Sequence, residues 1–309
     1  MRKVVLFMGI AYLVLIADLS AAEIIRGINI DSVSVGNAGN AADITTGYGA
    51  VDYNYRIGKY EITNAQWNAF TALSGNPTGN DGGYNLGSYY FFRDDRQPAN
   101  NVSWYEAAQF CNYLTSGDKS KGVYLFNGNN VNPGSFLGVD RVAAKNTYGV
   151  IYVLPTRNEW YKAAYHKNDG ITGNYWLYPT QSNVIPSNDL INPDPGNNAN
   201  FYQNGFTIGS PSYVTSVGEF ENSESAYGTY DQGGNISEWN ETLDGSLRGM
   251  WGGSFDSYAS ALWSSPLINY DADAPYEEVI SFGFRIASIP EPATLSLLSL
   301  GLLVLKIKR

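Results

Sequence analysis

Residues 227–239 read YGTYDQGGNISEW and allow little except a tight, glycine-rich turn between two carboxylates. The glycines and the asparagine between Asp231 and Glu238 reach backbone conformations that are closed to β-branched residues. Calcium takes its oxygen ligands from carboxylates and backbone carbonyls together, and a glycine-rich bend turns carbonyls toward neighbouring acidic side chains. The residue types alone leave two interpretations open, a calcium loop and a surface turn with an acidic residue on either side.

The N-terminus has the composition of a targeting segment. Two basic residues precede the apolar run 4–16, and small residues follow it up to Ala22. This is the pattern of a secretory signal peptide, and the apolar run is too short to cross a bilayer comfortably. We therefore predict a signal peptide over residues 1–22.

The C-terminus combines Pro290, Glu291 and Pro292 with the apolar stretch 293–305 and a basic end. Basic residues after an apolar segment stay in the cytoplasm, so the body should lie outside. The stretch would span about 20 Å of a hydrocarbon core of about 30 Å, which favours a temporary halt in the inner membrane over a lasting anchor. The order of these features over residues 289–309 resembles the PEP-CTERM sorting signal of Gram-negative bacteria. The resemblance implies that an exosortase removes the tail at the cell envelope.

Composition restricts both the partners and the means of stabilisation. A formal net charge of −10 predicts no nucleic-acid partner, because phosphates would be repelled. The single cysteine, Cys111, excludes an intrachain disulfide although the predicted destination is oxidising. Many aromatic residues among Gly, Asn and Ser predict a loop-rich domain with an ample core.

Three S/T-x-x-E/Q capping boxes predict the starts of three helices. They are Thr63 with Gln66, Ser103 with Glu106, and Thr156 with Glu159. Helical spacing of the apolar residues in the second helix predicts that Cys111 is a buried small hydrophobe and not a reactive thiol.

The other segments predict short strands and one long loop. Period-two alternations over residues 24–60 predict edge strands joined by turns, and residues 248–257 and 281–287 predict two more short strands. Residues 175–225 combine several prolines with frequent aromatics, so we expect an ordered loop there and not a linker.

Six short motifs follow one another along the chain. They are GKYEITNAQW, PANNVSWYEAAQFCNYL, YVLPTRNEWYKAAY, YGTYDQGGNISEW, MWGGSF and FGFRIA. In this order they resemble the motifs of formylglycine-generating enzymes and sulfatase-modifying factors over residues 51–288. The resemblance implies one α+β domain with a variant C-type-lectin-like fold that is loop-rich and stabilised by calcium. Residues 32–61 resemble a subgroup that also has a PEP-CTERM tail, and residues 23–50 are predicted to form N-terminal strands and turns joined to the domain.

The resemblance also assigns calcium ligands, and it reverses the choice left open above in favour of calcium. The residues assigned to the calcium loop are Asp231 (side chain), Gly234 and Ile236 (carbonyls) and Glu238 (carboxylate). An aspartate stands where the family has asparagine, and it still offers oxygen. The residues assigned to a second calcium site are Asn200 and the Phe201 carbonyl, with Asn204 and Phe206 as further candidates.

The catalytic residues of the family do not carry over. Its enzymes bind copper(I) through two cysteines that follow a GGS motif, and alignment from residues 252–254 places Ser257 and Leu262 at those positions. Soft thiolates select copper(I), and neither side chain supplies one. Cys111 lies on a predicted helix elsewhere and cannot replace the pair. The resemblance therefore predicts no copper and no catalytic residues.

The only histidine, His166, excludes several other kinds of site. One histidine and one cysteine are too few for an iron oxygenase centre built from histidines or for a Cys/His zinc site. They are also too few for a catalytic triad that uses several histidines. We expect His166 at the C-terminal end of the third predicted helix, where a partly protonated imidazole would interact favourably with the helix dipole.

The leading hypothesis is a non-catalytic, calcium-stabilised binding or structural protein at the cell surface or in the extracellular matrix of a Gram-negative bacterium. Tyrosine, tryptophan, asparagine and serine on loops suit an extracellular polysaccharide or a protein ligand. One alternative is a formylglycine-generating oxidase, or a related non-haem metal oxidase, that acts on a protein cysteine. Another is carbohydrate processing by Asp231 and Glu238, which calcium ligation would occupy.

Overall fold

The computed structural model describes residues 22–78, 94–264 and 271–289. The predicted signal peptide up to residue 21 and the Pro290, Glu291 and Pro292 motif lie outside the described residues. The helices are α1 (Asn64–Ser74), α2 (Trp104–Ser116), α3 (Arg141–Tyr148) and α4 (Arg157–Tyr165), with a 3-10 turn at Ala259–Leu262. The strands are β1 (Ala22–Ile25), β2 (Ile28–Val35), β3 (Tyr55–Gly58), β4 (Tyr124–Phe126), β5 (Phe136–Val139), β6 (Ile151–Val153), β7 (Ser237–Asp244), β8 (Leu247–Trp251), β9 (Asp271–Asp273), β10 (Phe282–Gly283) and β11 (Ala287–Ile289).

A five-stranded sheet in the order β1-β2-β3-β11-β6 joins the two ends of the described chain. Strand β11 lies antiparallel between β3 and β6, with Ala287 opposite both Ile57 and Val153. The prediction of edge strands over residues 24–60 is therefore wrong for β2 and β3, which are interior strands. The neighbour that covers β3 comes from the far end of the chain, so local alternation could not reveal it.

A second sheet in the order β10-β7-β8-β9 positions the acidic loop. Strand β7 begins directly after the turn, and its Glu238 pairs in register with Gly283 of β10 on one side and with Trp251 of β8 on the other. The strands predicted within residues 248–257 and 281–287 are confirmed as β8 and β10. Strands β4 and β5 form a separate hairpin.

All three predicted capping boxes are present and begin α1, α2 and α4. In each box the Ser or Thr side chain accepts from the N3 backbone N–H, and the N3 side chain accepts from the backbone of the cap residue. Helix α3 was not predicted. Its cap is Asp140, whose side chain accepts from the Ala143 N–H, and no Glu or Gln completes a box there.

The main core is formed by α1, α2 and the five-stranded sheet, with closely packed rings of Trp67, Phe70, Phe110 and Phe284. Cys111 is buried in this core, which confirms its prediction. Burial raises the pKa of its thiol well above the ordinary value, so the group stays protonated and unreactive.

Residues 166–236, all of which the structure describes, contain only isolated bridges between α4 and β7. Phe201 is fully buried and Tyr178 is nearly so, together with Leu262. The prediction of an ordered loop over residues 175–225 is thus confirmed. Among the described residues, no helix has the length and apolar character needed to cross a membrane.

Candidate functional site

The acidic loop crosses the segment that carries the second predicted calcium site. A Cβ atom on Gly234, which has a φ of 87°, would lie 2.2 Å from the Asn200 carbonyl oxygen, so only glycine fits there. The neighbouring Asn235 N–H donates to that same carbonyl at 2.8 Å. The structure therefore brings Asn200 next to Gly234 and Asn235, which are more than thirty positions further along the sequence.

The Glu238 carboxylate is bound by a buried arginine that sequence reasoning did not assign to the site. Arg285 donates to both Glu238 oxygens at 2.6 Å, and the Trp160 indole N–H donates to one of them at 2.7 Å. Both charged side chains are essentially inaccessible, at 0% and 1% exposed. Arg285 also donates to the carbonyls of Gly58 and Tyr230. The sequence signal was an arginine within the apolar run FGFRIA, because a cation there requires a buried partner.

Two more carboxyl groups lie close to this ion pair. Glu61 accepts from the Asn235 side chain at 2.9 Å and from the Ile236 N–H at 3.3 Å, and Asp231 accepts from the Gly218 N–H at 2.7 Å. We call Glu61, Asp231, Glu238 and Arg285 the acidic cluster.

The acidic cluster has three carboxyl groups and a single guanidinium. Burial, reinforced by the charges of Asp231 and Glu238, raises the pKa of Glu61 well above its ordinary value. Burial also raises the pKa of Asp231, to about 6, although the Gly218 N–H opposes this shift. The raised pKa values of Glu61 and Asp231 reflect the crowding of buried carboxyl groups, and a nearby cation would favour their charged forms.

The two predicted calcium sites differ in how well their side chains suit a cation. Both Glu238 oxygens already accept hydrogen bonds from Arg285 and Trp160. The carboxylate predicted for the calcium loop is therefore occupied by the ion pair. The buried Asn200 Oδ1 has no hydrogen-bond partner, while its Nδ2 donates to Tyr213 and Asn235. A buried acceptor without a donor suits an oxygen ligand of a hard cation.

The remaining candidates for the second calcium site are less well placed. The Phe201 carbonyl accepts from Asn188 Nδ2 at 3.1 Å, Asn204 is exposed, and Phe206 contacts other aromatic rings at the surface. In the part of the chain that the structure describes, no three His, Cys, Asp or Glu side chains form a group that could hold a metal ion. Any cation beside Asn200 would therefore rely largely on amide and carbonyl oxygens.

The residues at the family's two cysteine positions do come together, across Gly253. A Cβ atom on Gly253 would lie 3.2 Å from the Ser257 Cβ and 3.4 Å from the Leu262 Cδ1. The Ser257 hydroxyl accepts from the Ser254 N–H at 3.0 Å, and Leu262 is buried against Tyr178 and Phe201. The pair consists of a hydroxyl group and an alkyl group, which offer no soft ligand for copper(I).

His166 lies at the C-terminal end of α4, as predicted, and it is fully buried. Its Nδ1 accepts from the Tyr227 hydroxyl and the Asn168 N–H, while Nε2 donates to the Thr172 carbonyl at 3.1 Å. Burial lowers the pKa of the imidazole. Both observations favour a neutral ring over the expected partly protonated one, since Nδ1 accepts a backbone N–H and burial disfavours the charged form.

A family model described as the sulfatase-modifying factor enzyme 1-like domain matches residues 41–289. The chain belongs to this family. A PEP-CTERM protein-sorting motif matches residues 288–309. This motif indicates export and sorting at the cell envelope, and it implies processing by an exosortase.

Individual relatives are distant in sequence. A protein called chaperone protein LppX, from Paenibacillus barcinonensis, is 25% identical over 201 residues, or 60% of this chain. The chain spans only 61% of the length of that relative.

Solved structures show the same fold at low identity. Treponema denticola variable protein 1 is 19% identical with a TM-score of 0.53, and the match covers 88% of this chain and 99% of that one. CarF is 21% identical with a TM-score of 0.52 over 85% of this chain and 99% of its own. PvdO from Pseudomonas aeruginosa is 15% identical with a TM-score of 0.50, and the match covers 85% of this chain and 95% of PvdO. The predicted α+β, C-type-lectin-like fold is confirmed.

Proposed function

We propose that this exported member of the family is a non-catalytic binding protein of the cell surface or extracellular matrix. The observation that carries the proposal is that Ser257 and Leu262 lie beside Gly253, at the two positions where the enzymes of the family have their copper-binding cysteines. Without thiolates at these positions, neither copper(I) binding nor oxidation of a substrate cysteine has a chemical basis.

Two further observations argue against a catalytic role for the other candidate groups. The thiol of Cys111 is buried in the core on α2 with a raised pKa, so it cannot act in place of the missing pair. The Glu238 carboxylate is held by Arg285 and shielded from solvent, so it is not available as an acid or base for carbohydrate hydrolysis.

The purified body of the protein is expected to produce no formylglycine from a cysteine-containing sulfatase-type peptide, with or without added copper. The reason is the absence of a thiolate pair at Ser257 and Leu262. Mass spectrometry of the incubated peptide measures the result, with a family enzyme that has both cysteines as the positive control. Aldehyde formation at catalytic turnover by this chain would overturn the proposal.

We further propose that calcium stabilises the fold beside the acidic cluster, with Asn200 Oδ1 as a side-chain ligand. The unpartnered buried oxygen supports this assignment, and so does the excess of carboxyl groups over cations nearby. In this arrangement Glu238 contributes through its ion pair with Arg285, which positions the loop, and carbonyl oxygens of the loop complete the ligand set.

Calcium is expected to raise the melting temperature by about 5–10 °C over a chelator when calcium exceeds its Kd a hundredfold. Asn200→Leu should abolish most of this calcium-dependent difference. Asn198→Leu is the matched control, because Asn198 is also buried in this loop but its amide is already bonded to Asp194. Identical wild-type melting curves in both solutions, with no calcium found by elemental analysis, would contradict the proposal.

A further inference from the structure

Five aromatic rings contact one another beside Ser257, and we call them the aromatic platform. They are Tyr202, Phe206, Tyr213, Phe255 and Tyr258. Successive ring centroids lie 5.6 Å apart for Tyr258 and Tyr202, 5.1 Å for Tyr202 and Phe206, and 4.9 Å for Phe206 and Tyr213. Most of these contacts are edge-to-face, the geometry that holds aromatic rings in defined orientations.

The platform is partly exposed to solvent. Tyr258 is 68% exposed and Phe206 is 43% exposed, while Phe255 forms the floor at 6%. Large apolar side chains gathered at one place on a surface mark interaction sites more often than scattered single ones do.

The two loops that carry the platform are fixed to each other. The Tyr202 N–H donates to the Ser257 carbonyl at 2.8 Å. On the other side, the Asn188 side chain donates to the carbonyls of Phe201 and Gly205 at 3.1 and 2.9 Å. These bonds hold the rings in place before any ligand arrives, which reduces the entropy that binding must overcome.

The two chain segments that carry the platform are polar but almost uncharged. Residues 199–215 contain no Asp, Glu, Lys or Arg, and residues 252–262 contain only Asp256. Exposed amides of Gln203 and Asn204 flank the rings and can donate and accept hydrogen bonds. The whole chain has a formal charge of −10, so acidic polymers would be repelled.

We infer that the aromatic platform binds a neutral polysaccharide, an assignment that rests on the proposed non-catalytic function and specifies its ligand class. Aromatic faces stack on the apolar C–H faces of sugar rings, and side-chain amides hydrogen-bond to sugar hydroxyls. A nucleic acid or an acidic glycan would require cations that these loops lack. A stable protein interface takes about 20–30 residues a side, more than the platform offers.

The test is native gel electrophoresis of the protein through gels that contain a neutral β-glucan, with alginate and a polymer-free gel for comparison. Tyr258→Ala removes the most exposed ring, and Tyr258→Phe keeps the ring without its hydroxyl. Tyr276→Ala is the matched control, because Tyr276 is also 56% exposed but follows Pro275, whose carbonyl contacts the start of α2. Unchanged melting temperatures show that the variants are folded.

We expect the β-glucan to retard the wild type, Tyr258→Phe and Tyr276→Ala alike. The affinity of Tyr258→Ala for the β-glucan should be about 3–10-fold lower than that of the wild type, which corresponds to the loss of one aromatic contact. Absence of retardation, equal retardation of all variants, or stronger retardation by alginate than by the β-glucan would overturn the assignment. The formylglycine assay tests the proposed non-catalytic function separately. A failure of glucan binding therefore stays distinct from a failure of the proposed function.

Discussion

Replacing Arg285 with methionine is expected to lower the free energy of unfolding by about 3–5 kcal/mol. The guanidinium is fully buried and donates to both oxygens of Glu238, and it also lies within range of Glu61 and Asp231. Its removal would leave a buried carboxylate without a counter-ion, next to two groups whose pKa values are already raised. The cost is that of an unpaired buried charge, and it exceeds the contribution of an ordinary hydrogen bond.

Urea unfolding at pH 7 measures this effect, and two further variants test its cause. Arg285→Met combined with Glu238→Gln should recover part of the lost stability, because the unpaired charge is then gone. Arg56→Met is the control, since Arg56 is half-buried and donates only to serine oxygens of β2, so a loss of about 1 kcal/mol is expected. Equal losses for Arg285→Met and Arg56→Met would contradict the role assigned to the ion pair.

Features encoded within a few residues were predictable from the sequence. Each predicted capping box needs only a Ser or Thr and a Glu or Gln three residues later, and all three begin helices. Helix α3 was missed because Asp140 caps it without a partner at N3, and a lone Asp is equally common in turns. The burial of Cys111 followed from its place in the apolar stripe of α2.

Features that depend on distant partners were not predictable. The motif around Asp231 indicated the turn and its carboxylates, but Glu61 reaches Asn235 across 174 positions and Arg285 reaches Glu238 across 47. Strand β3 resembled an edge strand because its neighbour β11 lies at the other end of the domain. In both cases the local pattern defines an element, while its electrostatic and hydrogen-bonding environment is set by long-range contacts.

The surroundings of Asn200 in the candidate site are likewise set by long-range contacts that the local sequence does not reveal. Resemblance assigned this residue to a second calcium site without relating that site to the loop, and the structure shows that the Asn200 carbonyl accepts from Asn235 inside the loop. The glycine at 234 is needed because that carbonyl approaches so closely. The two predicted sites are therefore adjacent, and the proposal of calcium binding now concerns one region of the fold.

The variant Glu106→Gln is expected to be more stable than the wild type at pH 8, by about 2–4 kcal/mol. Glu106 is buried at the start of α2, where it accepts from the Ser103 N–H at 2.9 Å. Burial, reinforced by Glu278, raises its pKa to about 8, against the opposing effect of the Ser103 hydrogen bond. Glutamine keeps the acceptor that the capping box requires and removes the charge.

The sign of the pH dependence follows from the direction of this shift. Between the ordinary carboxyl pKa of about 4.3 and the folded value near 8, the folded protein holds a proton that the unfolded chain releases. The stability contributed by this group is therefore complete below about pH 4.3 and is lost as the pH rises toward 8. The advantage of Glu106→Gln should grow over that range and should be small at pH 4.5.

Glu159→Gln provides a control with the opposite sign, because Glu159 occupies the same N3 position in the capping box of α4. There the ion pair with Arg141, at 2.8 Å, overcomes the effect of burial and lowers the pKa of the carboxyl group. Its stabilising contribution is present above the unfolded pKa and is lost as the pH falls, so Glu159→Gln should be most destabilising at pH 8. Urea unfolding of both variants and the wild type from pH 4.5 to 8 measures how the free energy of unfolding of each variant, relative to the wild type, changes with pH. Parallel slopes for the two variants would show that the carboxyl groups share one environment, contrary to the contacts around Glu106 and Glu159.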